Sequence, residues 1–85
     1  MRTIYKYPVS VGRFVLELPA DAETLSVQMQ NGAPQVWVLL DPQAPKVDRA
    51  FIVHGTGHDV PSVGRFVGTF QLRGGSLVFH LFEAP

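Results

Sequence analysis

Proline and glycine recur so often along this chain that no stretch between them is long enough to carry a helical stripe. Eight glycines and seven prolines fall among 85 residues, and the segments they bound are rich in Val, Leu, Phe and Thr, which fit a pleated, half-buried surface. The pattern predicts one all-β domain over residues 1–85, a small antiparallel sandwich or partly closed barrel of about six to seven strands. Strands are expected at about 2–7, 13–18, 24–30, 35–41, 46–54, 65–72 and 76–83.

The clearest alternation is Thr24-Leu25-Ser26-Val27-Gln28-Met29-Gln30, which puts Leu25, Val27 and Met29 on one face and polar side chains on the other. Asn31-Gly32 follows. Both residues tolerate positive φ, so a hairpin is expected between the third and fourth strands, with Ala33-Pro34 extending the loop to about four residues. Arg73-Gly74-Gly75-Ser76 predicts a second hairpin joining the last two strands. The segments 19–23 and 41–45 read as polar, proline-bearing loops, each with room for one short helical turn. Ser10-Val11-Gly12-Arg13-Phe14-Val15 recurs as Ser62-Val63-Gly64-Arg65-Phe66-Val67, but the segments between do not match. The block therefore reads as two turn-to-strand entries, with Arg out and Phe in, rather than as a duplication.

Two strands depart from alternation, since Val36-Trp37-Val38-Leu39-Leu40 and Leu77-Val78-Phe79-His80-Leu81-Phe82 are apolar on both faces. Something must cover the second face. Central positions in a sandwich or barrel would do so, and so would a subunit contact. The second option makes Trp37, Leu39, Val78 and Phe82 candidate interface residues and predicts a homo-oligomer.

Seven basic residues balance seven acidic ones, leaving no net field to steer the chain to nucleic acid, which is not expected as a partner. Tyr5, Tyr7, Trp37 and Phe66 lie near Lys6, Arg13 and Arg65, as in small barrels that stack bases, but the simpler use of these aromatics is the core. No cysteine is present, so neither a disulfide nor a thiolate metal site supplements the core. No apolar run approaches the ~18 residues of a membrane span, and the first residues form no apolar signal segment. A protein that stays in a cytoplasm, with no membrane partner, is expected.

Polar chemistry gathers in one place, His54-Gly55-Thr56-Gly57-His58-Asp59-Val60-Pro61. His54, His58, Asp59 and His80 are metal-ligand types, but Gly55 and Gly57 oppose the helix that would bring both loop histidines onto one face. Amides around Gly55-Thr56-Gly57 would suit an anion, with Thr56 or His58 adding a donor, yet no Lys-Ser/Thr pair and no helix N-terminus follows. Thr56 or Ser62 beside His58 and Asp59 has the residue types of a hydrolytic set and nothing that specifies its geometry. No catalytic residue, metal or cofactor is assigned. Gly55, Thr56, Gly57, His58 and His80 remain candidate ligand-binding residues, against the simpler use of this segment as a strand-to-strand corner.

Four blocks taken in order, Ile4-Tyr5-Lys6-Tyr7-Pro8, Trp37 with Asp41-Pro42, Gly55-Thr56-Gly57-His58, and Leu77-Val78-Phe79-His80-Leu81-Phe82-Glu83, resemble a family of small uncharacterised proteins of phage and prophage genomes. The chain departs from that pattern at Val9-Ser10-Val11-Gly12, where a more polar bridge is expected. The resemblance implies the cytoplasm of an infected host cell and a stoichiometric binder of a host protein or small signalling molecule, such as a defence antagonist, rather than an enzyme. A small virion structural protein and a small-nucleotide binder using the Gly55–His58 turn are the competing expectations.

Overall fold

A computed structural model describes residues 1–85. Seven strands form in chain order: β1 (Thr3–Pro8), β2 (Gly12–Pro19), β3 (Glu23–Gln30), β4 (Ala33–Leu40), β5 (Lys46–Gly55), β6 (Arg65–Leu72) and β7 (Leu77–Glu83), with one 3-10 turn at Arg73–Gly75. Every pairing is antiparallel. A three-stranded sheet runs β1-β4-β3 and a four-stranded sheet runs β2-β5-β7-β6. The result is an open two-layer sandwich rather than a closed barrel. Its Cα trace measures 40 × 30 × 15 Å, and the short dimension accommodates two sheets about 10 Å apart.

Period-2 alternation selects what lies between the layers. On β4, Val36, Val38 and Leu40 point inward and are buried, and from the other sheet Leu18, Phe51, Val53, Phe70 and Leu81 meet them in a single cluster. Phe14 stacks on Phe51 with ring centroids 5.4 Å apart. The opposite parity of β4 and β7, which the sequence left uncovered, is only half-buried: Trp37 and Leu39 lie on the outer face of one sheet, Val78 and Phe82 on that of the other.

The turns follow local chemistry. Asn31 and Gly32 have φ of 51° and 80°, and Gln30 pairs with Ala33, so the loop has two residues instead of the expected four. Pro34 sits in β4, where its missing N–H is harmless and its carbonyl accepts from the Val9 amide at 3.1 Å. Asp41 accepts from the Ala44 amide at 3.1 Å, and its side chain accepts from the Gln43 amide at 2.9 Å, so this loop is a β-turn rather than a turn of helix.

Two expectations for apolar faces fail for an identifiable reason. A bulge at Leu25 shifts the β3 register between Thr24 and Ser26 and leaves Leu25 exposed; Val27 opposite Val36 is buried, and Met29 opposite Pro34 is exposed at the hairpin end of the strand. A second bulge lies between Phe66 and Gly68 in β6. It leaves Phe66 on the outer face, 56% exposed, so Phe is inward in the first Gly-Arg-Phe block only. The two bulged edges lie against each other: a Cβ on Gly68 would come within 2.7 Å of Val27 Cγ1, and the Arg65 guanidinium donates to Thr24 Oγ1. Only glycine permits that approach.

The β5–β6 connection matters most for the site. Because β7 lies between these two strands, residues 56–64 must carry the chain past β7 from one end of the sheet to the other.

Candidate functional site

The connection opens with a tight turn. The His58 amide donates to the Gly55 carbonyl at 3.1 Å, and Gly57 holds φ of 85°, the third-position geometry of a type II turn. This folds the His58 ring over Gly55, where a Cβ would lie 2.8 Å from the ring. Thr56 is fixed twice to β7, its amide donating to the Val78 carbonyl at 3.0 Å and its hydroxyl to the same oxygen at 3.2 Å. Together with Ser76, Leu77, Val78 and Phe79 of the β6–β7 hairpin, the turn lines an open groove of about 340 Å³, at the lower end of the range for small-molecule sites.

His80 lies outside this groove. Its Nε2 is 2.7 Å from Thr56 Oγ1 and its Nδ1 is 3.0 Å from Thr69 Oγ1. Since the single Thr56 hydroxyl hydrogen goes to Val78, the assignment that satisfies every contact puts the ring proton on Nε2 and lets Nδ1 accept from Thr69. Both nitrogens are then engaged, and the ring cross-links β7, β6 and the end of β5. Gly55 shares its parity with Phe79, and His80 has the other, so His58 and His80 occupy opposite faces of the sheet. Of the five ligand candidates, Gly55, Thr56 and His58 converge on the groove, Gly57 shapes the turn, and His80 meets the set only through its contact with Thr56. No three His, Asp or Glu side chains come together as a metal would require, and no side-chain hydrogen bond joins His58 to Thr56, Ser62 or Asp59.

The four interface candidates divide likewise. Trp37 and Leu39 lie on the outer face of the three-stranded sheet, with Val78 and Phe82 on that of the four-stranded sheet, so no single patch contains them all. The second face carries a continuous apolar row. One row crosses it as Arg13, Ile52, Phe82 and Phe66, with Phe66 edge-on to Phe82 at 5.4 Å. Val15 on β2 adds a side chain 47% exposed. His54 shares this face, packed edge-on against Phe82 at 6.0 Å. It is 9% exposed, and its Nε2 has no hydrogen-bond partner.

Sequence reasoning missed the most connected side chain. Arg49 points inward from β5 and makes a two-pronged pair with Glu83 of β7, at 2.6 and 2.8 Å, while its Nη1 donates to the carbonyls of Pro19 at 3.0 Å and Ala22 at 2.7 Å. The Glu83 hydrogen bond raises the Arg49 pKa against the burial that lowers it, and the charges of Glu83 and Asp21 add to the rise. Parity carried the signal: Arg49 shares a stripe with Phe51 and Val53, Glu83 with Phe79 and Leu81, and single opposite charges on apolar stripes of neighbouring strands call for each other.

No helix is long and apolar enough to cross a membrane. No curated protein matches the chain, and no solved structure does. A family model described as a domain of unknown function (DUF7352) matches residues 1–85, and the chain belongs to that family.

Proposed function

We propose that this chain is a small non-enzymatic binding module that acts stoichiometrically, by placing the outer face of its four-stranded sheet on a partner protein. The observation that carries this reading is the apolar row on that face, with Phe66 56% exposed beside half-buried Phe82 and Ile52. Contiguous apolar surface of this kind marks interaction sites on soluble domains. The resemblance to phage and prophage proteins supports a host protein as partner and the host cytoplasm as the setting, with antagonism of a defence system as the role.

A second reading rests on the groove beside Thr56 and His58, whose volume of about 340 Å³ suits a small ligand such as a signalling molecule. One comparison separates the two. Tagged wild type, a Phe66→Ser/Phe82→Ser variant and a His58→Ala variant are used to capture partners from host cells, with circular dichroism verifying each fold. The binding-face reading expects a partner retained by wild type and His58→Ala and reduced at least about tenfold by the double variant, as for loss of central aromatic contacts. Retention by the double variant contradicts it, loss in His58→Ala alone favours the groove, and many copies in purified virions would make the protein structural instead.

A further inference from the structure

The four sheet edges are not equivalent. A long, flat edge strand invites pairing with another chain, and proteins blunt such edges with bulges, prolines, lysines or a covering element. Strands β3 and β6 are both bulged and lie against each other. β1 carries Lys6 and ends on Pro8.

β2 has none of these protections. It runs eight residues, Gly12–Pro19, in unbroken register with β5, with proline only at its last position. None of the seven backbone hydrogen bonds formed outside the strands involves residues 12–18. Arg13, Val15 and Glu17 are exposed on the outer face, and Phe14 and Leu16 on the inner face are only partly covered. Neither Arg13 nor Glu17 takes part in any of the ion pairs, which join Arg2 to Glu23, and Arg49 and Arg65 to Glu83.

The charges on β2 complement themselves. We propose that two copies of this chain pair antiparallel through β2, about a two-fold axis at Val15, to form one continuous eight-stranded sheet. In that register Arg13 of each copy lies opposite Glu17 of the other, Val15 meets Val15, and Phe14 meets Leu16 on the inner face. Both unmatched charges find partners, and the open backbone groups are hydrogen-bonded. Pairing also joins the two apolar outer faces into one surface, which deepens the binding-module reading while depending on a different part of the molecule.

The test uses charge swaps and sedimentation across a concentration series. Arg13→Glu alone and Glu17→Arg alone each set like charges opposite one another at both symmetric positions, so each weakens self-association about tenfold or more. Arg13→Glu combined with Glu17→Arg in one chain restores it. Mixing the two single variants produces a heterodimer, because every facing pair is again opposite in charge. Circular dichroism and thermal melting verify that each variant keeps its fold. Phe66→Ser/Phe82→Ser leaves the dimer unchanged, so failure of the edge pairing and failure of the binding face are separately visible. A wild type that stays monomeric, or a dimer indifferent to the single swaps, overturns the proposal.

Discussion

Single side chains tie this sandwich together at points the apolar core does not reach. Arg49 satisfies two carbonyls and both oxygens of Glu83, with side-chain exposures of 13% and 16% for the pair. Arg49→Met is expected to cost about 3 kcal/mol by chemical denaturation, since it leaves a largely enclosed carboxylate without its main partner. Adding Glu83→Leu should recover part of that loss. His54 predicts the opposite sign. Its buried Nε2 has no partner, so His54→Phe should be neutral or stabilising by up to about 1 kcal/mol, measured the same way. Burial and, secondarily, neighbouring Tyr5 raise the Tyr7 pKa. A raised folded-state pKa contributes stability that is present below the unfolded value and is lost as pH rises through the folded one. Stability should therefore fall above about pH 10 in the wild type, and Tyr7→Phe should reduce that fall in an alkaline titration of the midpoint.

At the scale of strands, the seam between β3 and β6 depends on a residue without a side chain. Gly68→Ala drives a methyl into buried Val27 and should cost about 1–3 kcal/mol in thermal or denaturant unfolding, with Val27→Ala in the same chain relieving the clash. The strands themselves are legible from the sequence because glycine, proline and alternation mark them directly: the segment expected at 65–72 is β6, and the Asn31-Gly32 turn follows from residues that accept positive φ. The bulges are not legible in the same way. Leu25 and Phe66 fit an inward pattern as well as Val27 and Phe14 do, and only the neighbouring strand determines where an extra residue is inserted. The candidate site is legible as a turn, since Gly57 announces it. That His80 would turn away from His58 depends on register across β5 and β7, which no local spacing encodes.

For the molecule as a whole, alternation assigns two outer faces of unequal character. The three-stranded sheet sets Trp37 between Lys6 and Ser26 and Leu39 between Ile4 and Glu23, whereas the four-stranded sheet carries Ile52, Phe82 and Phe66 in one unbroken row bounded by Arg13. That asymmetry makes the second face the one assigned to binding. Hydroxyl-radical footprinting of the captured complex against the free protein tests the assignment most directly, because it reads the solvent access of individual side chains. Phe66 and Phe82 are expected to lose reactivity in the complex while His58 and Leu77 at the groove keep theirs. Protection confined to His58 and Leu77, with Phe66 as reactive as in the free protein, would contradict it.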